Sequence, residues 1–256
     1  MWLKKEDRGA ARIRARVFRT SQYSDINKNT MTCSRHPSED FFTWFPRLVN
    51  KLNSLWLTWT FPFASVGKDL YAHYSCDLRR SISNRIRIGD SVSLGREVWL
   101  NIYGEATGTN EPTIILEDGC KIGRHSMISA KNCIYIGHHT IFSPSVLIMD
   151  HNHAFEDVTT PISQQGATEG GTVRIGEGCW IGFGAAIVCN QGELVIGRNS
   201  VIGANSVVGH SIPPYSVVTG NPARVVKRYD LEKRMWVLGS SGFAAGAAAP
   251  DSTHAG

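Results

Sequence analysis

The sequence predicts an all-β fold: a parallel β-helix wound from six-residue repeats, interrupted by loops, with a short helix at each end. Three observations predict it. An aliphatic residue recurs every six positions between Arg174 and Val208, at Ile175, Ile181, Ile196 and Ile202. A Gly follows each of these, at Gly176, Gly182, Gly197 and Gly203. A small residue stands fifth in each hexad, at Cys179, Ala185, Ser200 and Ser206. Period six belongs to neither a helix nor an alternating strand, and it is the mark of hexapeptide solenoids. Each hexad supplies one flat strand and one corner, so three close a turn. The aliphatic residue and the fifth residue face the axis, and the Gly sits where a side chain would crowd the bend. No single turn can bury its apolar row, so turns must stack and the end turns need caps.

Hexads also lead from Ile88, Leu94 and Leu100, and resume at Leu116, Ile122 and Ile128 after a polar loop, Tyr103 to Pro112. A two-residue slip precedes Ile136, Phe142 and Ile148. The pattern fails from Met149 to Thr172, and a three-residue irregularity lies between Ile187 and Ile196. Val208 leads the last clear hexad. Pro213-Pro214 is expected to end the coil, and Gly220-Asn221-Pro222 to make a turn. Val225 to Leu238 is expected to be a short closing helix.

The domain organisation follows. Residues 1–40 carry charge, Ser, Thr and Asn without periodicity and are expected to be a disordered basic arm (Lys4, Lys5, Arg8, Arg12, Arg14, Arg16 and Arg19). Such an arm is either simply solvated or a nonspecific contact with anionic lipid or polymer. Residues 41–70 are aromatic-rich. Leu48, Leu52, Leu55, Trp56 and Trp59 suit one face of a helix ending before Pro62. That helix either packs on the first turn of the coil or lies at a membrane interface through residues 41–63. Residues 71–228 form the coil, which begins between Tyr71 and Ile88. Residues 229–256 are the end of the closing helix and a disordered Gly/Ala/Ser tail.

The formal net charge of +5 is concentrated at the ends of the chain. Six cysteines without a CxxC pair argue against a zinc or redox framework. No apolar core follows the basic N-terminus, and no run is long enough to span a bilayer. A reduced cytoplasmic protein is expected, with no nucleic-acid partner.

Function in a solenoid belongs to its interruptions. The longest carries Asp150, His151, Asn152, His153, Glu156 and Asp157. His151 stands where the chain has just left a rigid coil. It is suited to general-base work, which needs a fixed side chain and a pKa near neutrality. Asp150 either orients that imidazole or caps the turn.

The hexads, the DHNH loop start, the CWIG turn and the ending GNPARVVKR together resemble the left-handed β-helix acetyltransferases, over about Tyr71 to Arg228. Among these are the maltose and galactoside O-acetyltransferases and the sugar O-acetyltransferases of polysaccharide biosynthesis. The resemblance implies a left-handed coil and a homotrimer with sites between protomers. It implies direct acetyl transfer from acetyl-CoA to a sugar or glycan hydroxyl, with no metal. It makes His151 the catalytic base, His153 the lesser candidate, and Asn101 and Trp180 acceptor-site residues. Gly182 and Phe183 would offer a backbone N–H to the thioester oxygen. Ala204, Gly220, Arg224, Lys227 and Arg228 would contact the cofactor, whose phosphates call for cations. Phe183 stands where a small residue is usual. Gly209-His210 stands where Thr followed by Lys or Arg is common. If the acceptor is lipid-carried, the reaction would sit at the inner face of the membrane.

Two other readings compete with this one. His125, His138, His139, His151 and His153 raise a zinc hydratase of the γ-carbonic-anhydrase kind. A non-catalytic scaffold is the other, since fold alone does not fix function.

Overall fold

Stacking fixes the architecture. The structure, a computed structural model, describes residues 37–104 and 111–239. Thr43–Gly256 is one contact unit, and of the other, Met1–Phe42, only the backbone from Pro37 onward is described. The chain winds a left-handed parallel β-helix with three faces. The first face stacks Ser65–Val66, Ile86–Ile88, Ile114–Leu116, Cys133–Ile136, Gly170–Ile175 and Gln191–Ile196. The second runs from Tyr71–Ala72 through Trp180–Ile181 and Val201–Ile202 to Ser216–Thr219, and the third from Asp77–Leu78 to Val207–Val208. The coil therefore begins at Ser65, earlier than the hexads indicate, because after Val66-Gly67 its first turn departs from the pattern, with Leu70 at the fifth position and Ala72-His73 leading the next strand.

Lead residues such as Ile88, Leu94, Ile136, Ile175 and Ile202 form the buried axis. The fifth residues are buried beside them, and several reach the next turn. Cys120 Sγ lies 3.2 Å from Gly137 O, Thr140 Oγ1 2.9 Å from Gly176 O, and Cys179 Sγ 3.3 Å from Gly197 O. Burial pushes the Cys120 thiol up to about 12 and Cys179 up to about 11. These thiols are packing groups, not nucleophiles. The second position is tight because the next turn's backbone lies against it. A Cβ on Gly176 would come within 2.6 Å of Arg198 N. The fourth position of the hexad, which period-six reading left unassigned, takes a left-handed backbone. His125, His139, Asn199 and Asn205 have φ of 58°, 56°, 51° and 55°. His, Asn and Asp are the side chains that tolerate this region best.

Every interruption falls at one corner, where the third face turns into the first. The 3-10 segment Arg80–Arg85, the break between Ile102 and Ile114, the slip at Lys131–Asn132, the long excursion 150–169 and the bend at Cys189–Asn190 all stand there.

Both ends differ from expectation. Helix α1 (Pro37–Thr60) starts before Phe41 and lies against the first rung of the second face with its polar side. Ser54 Oγ accepts the Ala72 N–H at 2.8 Å, Asn53 Nδ2 donates to Ala72 O at 3.2 Å, and Asn50 Oδ1 accepts the Tyr74 N–H at 3.1 Å. An open coil end exposes backbone donors and acceptors, and these side chains satisfy them. Of the two expected placements for Leu52, Leu55, Trp56 and Trp59, packing on the coil is not seen: all four are exposed.

At the other end, Pro213-Pro214 does not end the coil. Ile212 pairs with Ile196, and Ser216–Thr219 continues the second face. The expected closing helix is an antiparallel hairpin, Arg224–Asp230 with Met235–Leu238, added to that face. Val225, Val226, Val237 and the aromatic pair Tyr229–Trp236 (centroids 5.5 Å apart) favour a strand. Asp230 Oδ1 closes the turn by accepting the N–H groups of Glu232 and Lys233. The expected arm (1–40, apart from the backbone from Pro37) and the expected tail beyond Gly239 lie outside the described residues.

Gly176→Ala should cost about 1–3 kcal/mol in a denaturant titration, because the clash is with backbone. Unchanged stability would contradict the packing described for this column.

Candidate active site

The site grows from the slip at Lys131–Asn132. The extra residues bend the chain so that three successive N–H groups converge on one carboxylate. Asp150 Oδ1 accepts from Lys131 N at 2.7 Å, and Oδ2 from Asn132 N at 2.8 Å and Cys133 N at 3.0 Å. Asp150 is fully buried. Its Oδ1 also lies 2.9 Å from His151 Nδ1. A carboxylate engaged by three N–H donors accepts from the ring as well, so in the neutral imidazole the hydrogen sits on Nδ1 and Nε2 bears the lone pair. Asp150 thus both caps the turn and orients the imidazole.

His151 is buried, with its side chain 7% exposed. The Tyr103 ring lies 5.2 Å away, inclined by 34°. Gly170 closes in from the far end of the excursion. Its φ is +78°, and a Cβ there would meet Asp150 O at 2.7 Å and His151 Cβ at 3.3 Å. The excursion is itself built. Asn152 and Thr168 exchange hydrogen bonds, Ala154 N donates to Gly166 O at 3.1 Å, and Lys131 Nζ holds Thr168 O. At the tip, Thr159 and Thr160 donate to Asp157 and hold its carboxyl down at about 2. His153 is exposed and pairs only through its backbone, with Ala167.

Asn101 lies on the outer side of the third face. It donates from Nδ2 to Ser129 Oγ at 3.1 Å, and the Arg79 guanidinium donates to its Oδ1. Register aligns Asn101, Ser129 and Met149, so Asn101 stands two rungs from Met149, where the strand leading to His151 ends.

The remaining expected residues gather elsewhere. Trp180 is on the second face, half exposed, with Nε1 donating to Ser143 Oγ at 3.0 Å. Gly182-Phe183, Ala204-Asn205 and Gly220 stack at the corner between the second and third faces. Asn205 N donates to Phe183 O at 2.8 Å, and Val207 N to Gly220 O at 3.0 Å. The Gly182 N–H is taken by Ile202 O at 2.7 Å, whereas that of Phe183 donates to none of the described residues. Of the two expected oxyanion donors, only Phe183 is therefore free to act.

Hairpin register separates the three cations. Val217 faces Lys227 while Val218 faces Val225, so Val226 bulges out. Arg224 and Lys227 consequently share the outer side, and Arg228 falls opposite Ser216 on the other. Within one chain, then, the cofactor candidates and Trp180 form one group, and His151 stands at a different corner.

A cleft of about 870 Å³ opens between the excursion, at Phe155 and Thr168, and the later turns, at Cys189, Gln191, Gly209 and His210. His125 falls at a second corner, 2.9 Å from Glu97, and His138 and His139 at a third. Among the described residues, the one group with metal-binding spacing is Glu117, Asp118 and His138. It contains neither His151 nor His153.

Tyr103, the Lys131–Cys133 nest and Gly170 were not picked out by sequence reasoning. The two-residue slip was the one visible signal for the nest.

No protein-family model matches the chain. It is 28% identical over 169 residues to WbbJ of Escherichia coli, named by inference a lipopolysaccharide biosynthesis O-acetyl transferase; the match covers 64% of this chain and 81% of that one. It is 33% identical over 141 residues to Rv3034c of Mycobacterium tuberculosis, also an acetyltransferase by inference, covering 55% of this chain but only 45% of that longer protein. Among solved structures, AntD of Bacillus cereus, an N-acyltransferase in complex with dTDP and 3-hydroxybutyryl-CoA, superposes with a TM-score of 0.54. That alignment is 18% identical over 73% of this chain and 89% of AntD, which establishes the shared fold. The chain is similar in sequence to acetyltransferases, and it carries their left-handed hexapeptide coil.

Asp150→Ala would leave three part-buried N–H groups without their carboxylate and should lower stability by about 2–3 kcal/mol. A loss of a few tenths would mean that the carboxylate is not the pin it looks to be.

Proposed function

We propose that the protein is an acetyl-CoA-dependent O-acetyltransferase acting on a hydroxyl of a sugar or glycan precursor, with His151 as general base. The observation that carries this reading is the pinned Asp150–His151 pair at the coil's largest break, which ties up Nδ1 and leaves Nε2 for a substrate proton. In the reaction, Nε2 takes the acceptor's hydroxyl proton as its oxygen attacks the thioester carbonyl. The Phe183 N–H donates to the tetrahedral oxyanion. The carbon–sulfur bond then breaks, and the proton passes from Nε2 to the departing CoA sulfur. No covalent enzyme intermediate is needed. The O-acetyl transferase naming of WbbJ supports a sugar acceptor of the polysaccharide kind.

The separation of His151 from Trp180, Phe183 and the cations supports a site assembled between copies in a homotrimer. The outer faces agree with this. Ile141, Trp180, Val201 and Val217 line the second, and Trp99, Met127, Leu147, Ala186 and Val207 the third. The first face carries Arg174 over the Tyr135 ring and 3.8 Å from Glu193, with Arg87 paired to Glu117. The third face and the later rungs of the second are apolar and available for burial, Ser93 and Lys121 standing on the second face's earlier rungs, and the first face carries charge for water. Acetyl-CoA supply and the free buried thiols are consistent with a cytoplasmic setting.

His151→Ala should retain acetyl-CoA binding by calorimetry while CoA release with a sugar acceptor falls about 10²–10⁴-fold. Undiminished turnover removes His151 from the role. Arg224→Ala and Lys227→Ala should each raise the KM for acetyl-CoA, and Arg228→Ala should raise it far less. An equal effect from all three would contradict the division imposed by the bulge at Val226.

A further inference from the structure

Helix α1 is inverted relative to an ordinary capping helix. From Trp44 onward, one continuous arc of its surface holds Trp44, Phe45, Leu48, Leu52, Leu55, Trp56 and Trp59. Six of these are exposed, Trp59 by 86%, and Leu48 is partly so. The opposite arc, Asn50, Ser54 and Leu57, is buried on the coil, and its hydrogen bonds to Ala72 and Tyr74 fix which side faces out. The apolar side is therefore presented outward by a rigid attachment, and it is too large to be incidental.

Charge narrows the occupant. Arg47 and Lys51 border the arc and are exposed, and no Asp or Glu occurs between Thr43 and Lys68. At the helix's C-terminal end, Arg80 Nε donates to Thr60 O at 2.9 Å and brings a further cation alongside. Indole rings with flanking cations are the side chains favoured at the headgroup level of a bilayer. The helix is not long and apolar enough to cross one.

We infer that the outer face of α1 is a membrane-docking surface that seats the protein on an anionic lipid bilayer. The helix lies in the interface plane, with Trp44, Leu52, Leu55, Trp56 and Trp59 sunk among the acyl chains near the headgroups. Arg47 and Lys51 meet the lipid phosphates. Because α1 caps the first rung, the coil stands off the membrane by its N-terminal end. This seating does not depend on the reaction proposed above.

The test is flotation of the full chain with vesicles of equal parts phosphatidylglycerol and phosphatidylcholine, and with phosphatidylcholine alone. The wild type should float with the anionic vesicles, and its tryptophan emission should be quenched by brominated acyl chains. Leu52→Glu with Trp59→Glu should reduce flotation by at least about tenfold. Both positions are exposed, so the melting temperature and transfer to a soluble acceptor should not change. Absence of flotation overturns the inference. So does flotation that salt abolishes while the double variant retains it, which would assign binding to the basic arm. A double variant whose only change is a smaller assembly in light scattering also overturns it, because a second copy would then be the occupant.

Discussion

One carboxylate holds the site together. Asp150 is taken wholly out of water, which is tolerable only because three backbone N–H groups of the preceding turn and the His151 ring surround it. Those three donors exist in that arrangement because two residues, Lys131 and Asn132, interrupt the hexads one turn earlier. The excursion that follows starts from a fixed point, and its return strand at Gly170 presses against the same pair. The imidazole is therefore positioned by backbone already ordered by stacking, and little of its placement depends on the loop.

The coil explains why this works at one corner and not elsewhere. Two corners repeat without insertion, so their residues stack in columns and are committed to packing: the Gly contacts, the left-handed fourth positions, and the Cys120–Thr140–Cys179–Ser200 ladder. The third corner absorbs every extra residue, from the 3-10 segment to the long excursion. A solenoid can vary there without disturbing its neighbours, because each turn needs only the turns above and below. Chemistry and regularity have been given different edges of the same prism.

Much of this was legible in the sequence, for reasons that can be named. Ile-Gly with a small fifth residue reports the axis because the stacked inner turns leave room there only for Ser, Cys, Ala, Val or Thr, so the core and its period were readable. Asp150 and His151 were readable because they stand just past Ile148 and Met149, where the last hexad before the break gives out. The nest was not, because it is made of backbone, and Lys131-Asn132 shows only as a skipped beat. The closing hairpin was misread as a helix because one hairpin of RVVKRYD and MWVL has no period-six signal, and its charges suggested a solvated helix. The sequence left the orientation of α1 open between packing on the coil and facing a membrane interface, because an apolar arc reads the same in either role. Here the unpaired backbone of the first rung claimed the Asn and Ser side instead. That His151 and the Trp180–Phe183 group occupy different corners follows from counting hexads, yet it becomes visible only once the faces are assigned.

The account stands on the state of one imidazole. Nitrogen-15 NMR of the ring in selectively labelled protein reads it directly. In the neutral form His151 should carry its hydrogen on Nδ1 with Nε2 bare, and Asp150→Asn should abolish that preference. A ring protonated on Nε2 in the wild type, or a preference indifferent to Asp150, would contradict the claim that this carboxylate sets the base.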